Sequence, residues 1–426
     1  MLVEFRVENH RSIGEEQAIS FEAATLGDGA DRTVREVGSY KLLPAIALYG
    51  ANASGKSNVL SAFGFMREAV LWSHNRWEPE GVPRNPFAWG RWRQEPTMME
   101  ATFLIDGVRY EYGFVADDRA FLEEWLFAWP KGRKQVWFER DGTSFKFGEN
   151  LRGENKLVEG VTRDNALFLS AAVQHRNEQL EPLFDWFQGT PERRPASVGD
   201  RILFPSSRKR DRMLSRIYAV QGDWFRSALL DSTPTADADP RMHQFRELLS
   251  AADVGILDFR YSKGFDPETG RVNLEIRHQS SETHAWLPVH QESEGTLALF
   301  EIGPQVIDAL YSGTLLLVDE LEASLHPLLA RRIVQMFNDS DINRRHAQLL
   351  FTTHDTNLLG NLSGGPSLRR DQVWLTEKSN EGATCAYPLT DYKPRNNENL
   401  ERGYLQGRYG AIPYLGRLAA PPEPEA

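Results

Sequence analysis

The strongest constraint on this chain is an eight-residue loop, Gly50-Ala51-Asn52-Ala53-Ser54-Gly55-Lys56-Ser57, which fits the pattern G-x-x-x-x-G-K-[ST]. Apolar Ala45 to Tyr49 leads directly into it, and Val59, Phe63, Met66 and Val70 follow at helical spacing. The order is therefore buried strand, glycine loop, helix. In such a loop the glycines let backbone N–H groups turn inward toward phosphate. Lys56 then reaches the β- and γ-phosphates and the Ser57 hydroxyl takes Mg²⁺. The helix N-terminus adds free N–H groups and a favourable dipole. A glycine turn that contains Lys-Ser by chance is the bland alternative, and the flanking strand and helix decide against it.

Two more short apolar runs stand out, Thr314 to Val318 and Leu349 to Phe351. Nearly unbroken runs of this kind suit strands buried on both faces of a parallel sheet. Ligands of open α/β sheets bind beyond the carboxyl ends of such strands. The first run ends in Asp319-Glu320. Asp319 suits Mg²⁺, directly or through water, opposite Ser57, and Glu320 suits a general base for an attacking water. Adjacent carboxylates at a strand exit are costly unless a cation or proton shares the site. Two solvated acids in a turn are the plain reading without the phosphate loop. The second run ends in Thr352-Thr353-His354-Asp355. A histidine there can touch a γ-phosphate, although a lone histidine after a strand is ordinarily a hydrogen-bonded structural residue.

The rest of the chain fits around this core. Its 426 residues suggest two to three domains on the prior of about 150 residues each. With 41% apolar and 26% charged residues, disorder is excluded for most of its length. Cys385 is the only cysteine, which excludes an internal disulfide and a multi-cysteine zinc site and fits a reducing compartment. No apolar run approaches the roughly 18–20 residues of a membrane span, and Met1 to Asn9 has no secretory pattern. A cytoplasmic protein without membrane contact is expected. The net charge of −11 gives no global pull toward nucleic acid. Arg201, Arg208, Lys209, Arg210, Arg212 and Arg216 form the densest basic patch, open to nucleic-acid contact or simply a solvated face.

Residues 2–9 read as a strand with Val3, Phe5 and Val7 on one face. Residues 99–149 read as an antiparallel meander, with turns at Asp106-Gly107 and Asp141-Gly142. Trp125, Trp129 and Trp137 fall in it at spacings that suit packing. Residues 176–250 read as an inserted helical region with long loops, and Pro421 onward as a solvated tail.

Taken in order, these residues resemble the ABC-type ATPase heads of the Rad50, SMC, RecF and OLD group. Glu8-Asn9-His10-Arg11-Ser12 is similar to their Asn-x-Arg-Ser turn, Gly50 to Ser57 to Walker A, and Asp319-Glu320 to Walker B. Leu321 to Pro327 resembles their D-loop region, and Glu292-Ser293-Glu294-Gly295-Thr296, with Gly295 lying 24 residues before Asp319, their reduced signature. Within this set His354 matches the switch histidine. Residues 165–171, Ala252 to Ile256, Asp371 to Lys378 and Gly403 to Pro413 resemble stand-alone prokaryotic ATP-binding proteins of the RloA and AbiL types, linked to restriction and abortive-infection loci.

The resemblance implies an α/β fold: a P-loop NTPase of ABC-ATPase-head type, with a mostly parallel core sheet, an antiparallel β-meander and an inserted helical region. It implies an N-terminal lobe over 1–175, the insertion with connecting strands over 176–284, a C-terminal lobe over 285–390 and a terminal segment over 391–426. ATP and Mg²⁺ are the implied cofactors. Glu320, His354 and Lys56 would be catalytic and Ser57 and Asp319 would hold the metal. Gly50 to Ser57, Asn58, Arg11, Ser293 and Gly295 would contact nucleotide, the last two across a homodimer or larger oligomer closed around ATP. Antiphage defence with a separate, nuclease-like effector protein would follow.

Some departures are visible. Gly303-Pro304 should interrupt and kink the helix after the signature. No Q-loop glutamine can be placed, Asn85-Pro86-Phe87 being the nearest region. The insertion is too broken for long coiled-coil arms, and the 72 residues after His354 carry no Asp-x-Asp pair, so no nuclease is expected on this polypeptide. A nucleotide-gated scaffold and a RecF-like DNA-binding repair ATPase remain as competing readings, and a transporter subunit is the least suited. For the C-terminal Tyr404 to Tyr414, folding back onto the head is preferred over contact with a partner.

Overall fold

The computed structural model describes residues 1–26, 33–189, 192–193, 239–252, 255–265, 272–280, 285–360, 367–395 and 398–413. The basic patch at 201–216, the proline-rich breakers around 205 and 233, Tyr414 and the tail lie outside the described residues.

The three apolar runs become neighbouring strands. They are β5 (Ala45–Gly50), β15 (Leu315–Val318) and β16 (Gln348–Thr352), and every residue in them is buried. With β17 (Val373–Lys378) they form a parallel sheet in the order β15-β16-β5-β17. A short β11 (Glu192–Arg193) pairs parallel with β15, and β18 (Thr384–Pro388) pairs antiparallel with β17 at the other edge.

The period of two in the strands sorts side chains to two cores. Ile46, Leu48, Leu315, Leu317, Leu350 and Trp374 face one core; Ala47, Tyr49, Val318, Phe351 and Leu375 face the other. The first core is covered by α1 (Lys56–Trp72), α2 (Asn155–Val161), α3 (Phe168–Gln174) and α4 (Glu181–Gln188). Val59, Phe63, Met66 and Val70 of α1 are all fully buried there. The second is covered by α5 (Pro240–Ala252), α6 (Glu294–Ser312), α7 (Pro327–Asn338) and the terminal α8 (Leu400–Leu405).

The meander is present. Strands β6 (Thr97–Ile105), β7 (Val108–Ala116), β8 (Phe121–Ala128), β9 (Gln135–Asp141) and β10 (Ser144–Phe147) continue an antiparallel sheet from β1 (Leu2–Glu8), with β2 (Gln17–Ser20) at its far edge. Asp106 and Gly107 both take positive φ, 49° and 76°, as a two-residue hairpin requires. Trp125 donates to Glu100 Oε2 at 3.0 Å, Trp129 lies under the Arg109 guanidinium and Trp137 packs edge-on to Tyr110. β12 (Ile256–Phe265), β13 (Val272–His278) and β14 (Trp286–Pro288) make a separate antiparallel sheet.

Two local expectations are corrected. Val3 does not share the face of Phe5 and Val7. The β1–β6 register shifts between Leu2 and Glu4, and Val3 packs instead with Leu42 and Leu104. Gly303-Pro304 does not interrupt the signature helix, which runs from Glu294 to Ser312 with Pro304 inside. In the turn that lacks the Pro304 N–H, Gln305 Nε2 donates to Glu301 O at 2.8 Å. Gly303 is small because the Phe245 ring of α5 lies where its Cβ would stand.

Gln348 joins the two large sheets. It is 1% exposed, its Oε1 accepts from Leu2 N at 2.5 Å, and its Nε2 donates to Leu2 O at 2.9 Å and Leu43 O at 3.2 Å. Gln348→Ala strands these buried groups and should lower unfolding free energy by about 1–3 kcal/mol in urea titration. A loss under about 0.5 kcal/mol would show that apolar contacts alone join the sheets.

Candidate active site

The ends of β5, β15 and β16 bring three sequence motifs to one place. The loop after β5 bends through Gly50 (φ 159°), Ala53 (φ 64°) and Gly55 (φ 107°) before α1 begins. A Cβ at Gly55 would collide with the Thr384 side chain, so both the space and the left-handed conformation demand glycine. The Lys56 ammonium turns back to Gly50 O at 2.9 Å and Ala51 O at 3.1 Å. Asn52 and Ala53 are exposed at the loop tip and Ser54 is buried beneath.

Across the loop, Asp319 Oδ1 accepts from Ser57 Oγ at 2.8 Å and from Thr352 Oγ1 at 2.6 Å. Thr352 Oγ1 in turn accepts from Glu320 N at 2.7 Å, and Leu321 N donates to Thr352 O at 3.0 Å. These bonds hold Glu320 in a left-handed conformation, φ 53°. His354 N donates to Glu322 Oε1 at 2.6 Å, which ties the β16 exit to the segment after Glu320. Burial, then the Lys56 ammonium, pushes the His354 imidazole below its ordinary pKa.

Ser57 and Asp319 offer the hydroxyl and carboxylate oxygens that a small hard cation prefers. Among the described residues no group of three or more His, Cys, Asp or Glu could hold a metal by itself. A Mg²⁺ ion fits this pair in its usual manner, completed by water and phosphate oxygens.

The other side of the loop is held by hydroxyls, among them those of Thr376 and Thr384, to which sequence reasoning gave no role. Ser54 Oγ and Thr376 Oγ1 are 2.7 Å apart, and Thr384 Oγ1 donates to Ser54 O at 2.9 Å. Ser12 Oγ meets Thr384 Oγ1 at 2.7 Å and accepts from Asn58 Nδ2 at 2.6 Å. Arg11, φ 52°, donates its N–H to Asn85 O at 2.6 Å. Asn9 is fully buried and donates to the carbonyls of Trp92, Glu95 and Pro96 while accepting from Phe87 N. The turn after β1 is thus a bracket between the phosphate loop and residues 85–96. Only the polar run Glu8 to Ser12 signalled it.

The C-terminal segment also reaches the loop. The Tyr404 hydroxyl lies near the Gly50 N–H and donates to Ala411 O at 3.2 Å. Its ring stands edge-on to Tyr49, whose hydroxyl donates to Asp355 O at 2.9 Å. Folding back is therefore what residues 404–413 do. Arg408 pairs with Glu398 rather than reaching outward. Cys385 is half-buried in β18.

Ser293 and Gly295 belong to a second surface. Ser293 is exposed and caps α6, accepting from Thr296 N at 3.1 Å. Gly295 lies against Ser324 O, in the segment after Glu320.

A parallel sheet with a phosphate loop after one strand, a paired carboxylate exit on a second and a histidine exit between them is the arrangement of a P-loop nucleotide-binding domain. The chain belongs to the AAA-domain family described as "AAA domain, putative AbiEii toxin, Type IV TA system", whose profile matches residues 45–360, well over half of its length. No curated protein matches it. Among solved structures it is similar to the SMC head domain from Thermotoga maritima, at 13% identity and TM-score 0.41 over 91% of this chain and 98% of that one. An SMC head bound to the C-terminal winged-helix domain of ScpA gives 12%, 0.45, 92% and 99%. An SMC head with an extended coiled coil, bound to the C-terminal domain of ScpA derived from Pyrococcus furiosus, gives 12%, 0.36, 92% and 97%. Nothing about activity follows from likeness at that identity. Among the described residues no helix is long and apolar enough to cross a membrane.

Burial lowers the Lys56 pKa to about 8, against the opposing pull of Asp319, Glu320 and Glu322. Phosphate needs the protonated amine. Affinity for Mg·ATP should therefore be full below about pH 8 and fall by up to about tenfold per unit above it. The linkage to folding has the opposite sense, because from about 8 toward 10.5 the unfolded chain keeps the proton that the folded chain has lost. Calorimetric titration at about pH 7, 8 and 9 reads the binding effect. An affinity that is flat over that range, or one whose slope survives in Lys56→Met, would contradict the role of the amine.

Proposed function

We propose that this chain is a Mg²⁺-dependent ATPase in which two copies close around ATP, so that hydrolysis works as a switch. The observation that supports this best is the shared Asp319 oxygen, which sets Ser57 and the Glu320 backbone in one bonded array facing Lys56. In this reading Lys56 and the N–H groups of residues 50–57 bind the β- and γ-phosphates. Ser57 and Asp319 hold Mg²⁺, which neutralises charge on the phosphate oxygens. Glu320 takes a proton from a water as the water oxygen bonds to the γ-phosphorus. The bond from that phosphorus to the bridging oxygen breaks, leaving ADP and inorganic phosphate. His354 touches the γ-phosphate and registers its departure. Arg11 and Asn58 lie on the nucleoside side.

Ser293 and Gly295 would face the γ-phosphate of the partner copy. Ser293 caps the N-terminus of a 19-residue helix, where an anion is favoured. Loss of the γ-phosphate removes the charge that joins the two surfaces. The lobes 1–175 and 285–390, with the insertion 176–284 and the terminal segment 391–426, are the proposed division of labour. The resemblance to abortive-infection ATPases, together with the family description, supports a place in antiphage defence with a separate, nuclease-like effector protein.

Light-scattering mass with and without Mg·ATP, on the wild type and on Glu320→Gln, tests this. The variant should hold a species of doubled mass and release phosphate slower by roughly 10²–10⁴-fold. Unchanged mass with turnover intact would sink the dimer switch and the role of Glu320 together.

A further inference from the structure

The sheet order gives the site a direction. Ser57, Asp319 and Thr352 mark the metal and terminal-phosphate end, on the β15–β16 side of the loop. A triphosphate wrapped by the loop after β5, with its end toward β15, sends its nucleoside the opposite way. That way lie β17 and β18, together with Ser12, Asn58 and the Arg11 backbone.

Trp89 stands on that rim. Its Nε1 lies 3.7 Å from where a Cβ on Gly382 would be, in the β17–β18 turn. Two residues further on, Thr384 bonds both Ser54 O and the Ser12 hydroxyl. Trp89 is 63% exposed, yet the segment carrying it is fixed. Asn9 bonds Phe87 N before it and three carbonyls after it, and Arg11 N bonds Asn85 O. Its aromatic neighbours are packed away, Phe87 at 3% exposure and Trp92 against Gly14. An indole presented on a fixed loop beside a phosphate site is suited to stacking, since every base offers a π-face.

We propose that Trp89 is the platform on which the base of the bound nucleoside triphosphate stacks. This rests on the phosphate-site reading above. The platform selects a nucleotide over inorganic triphosphate and favours purines, whose rings cover more of the indole.

The test compares Mg·ATP and Mg²⁺ with inorganic tripolyphosphate as calorimetric ligands for the wild type, Trp89→Ala and Trp89→Phe. Trp89→Ala should weaken ATP by about tenfold or more, leave tripolyphosphate unchanged, and be largely rescued in Trp89→Phe. Equal weakening of both ligands would assign Trp89 to the shape of the loop and overturn the proposal, as would unchanged ATP affinity in Trp89→Ala. If the wild type binds neither ligand, the phosphate-site reading itself falls and takes the platform with it, which separates the two failures.

Discussion

One carboxylate oxygen organises this molecule. Asp319 Oδ1 accepts from a hydroxyl on α1 and from another at the end of β16, while its own residue directly follows β15. Three chain segments far apart in sequence therefore meet at one atom. A bond from a hydroxyl to an ionised acceptor is about twice as strong as a neutral one, and it fixes direction as well as distance. Thr352 then passes the constraint to the Glu320 N–H. The strained backbone of Glu320 persists because its neighbours on both strands determine it.

The opposite wall works by different chemistry. Ser12, Ser54, Thr376 and Thr384 are linked by hydroxyl bonds, and the Lys378 ammonium donates to Thr384 Oγ1 at 3.1 Å. In the proposed reading, a wall of hydroxyls without carboxylates suits the side that meets a nucleoside, and a carboxylate wall suits the side that meets a metal. The antiparallel β18 is structurally necessary for this. Its first residue, Thr384, closes over Gly55, so the sheet edge shapes the loop as much as the glycines do.

Much of this was legible in the sequence because it is local. Unbroken apolar runs this short, led into or followed by turn residues, suit strands covered on both sides, and each of the three ended in the residue types that face a ligand. The meander followed from alternation and from turns that tolerate positive φ. What escaped depends on long-range pairing. The shift that turns Val3 away is a property of two strands, not one. Pro304 sits within an intact helix because α5 packs on Gly303 beside it and Gln305 bonds the turn. Thr376, Thr384 and Tyr404 are ordinary residues in sequence, and only the parallel pairing of β17 with β5 and the return of α8 bring them to the loop. Asn9 was noticed through resemblance, but its work as a bracket for residues 85–97 is visible only in its hydrogen bonds.

In the proposed reading, charge explains why nucleotide and metal would belong together here. The fields of Asp319, Glu320 and Glu322 all reach Lys56, and the same three reach His354. One ammonium thus faces three carboxylates, and His354 is held toward its neutral form, so it adds little positive charge near neutrality. A triphosphate brought alone into this place would meet net repulsion, and burial would enlarge it. A divalent cation held by Asp319 would reverse the sign of that contact. Lys56, bonded to two loop carbonyls, then exchanges neutral acceptors for charged ones, and the exchange gains most where water is scarce. In the proposed reading, metal dependence would be a consequence of the acidic strand ends themselves. On that reading, a version of this site with Asp319 and Glu320 neutral would hold phosphate without needing the cation, and would lose the proposed means of breaking it.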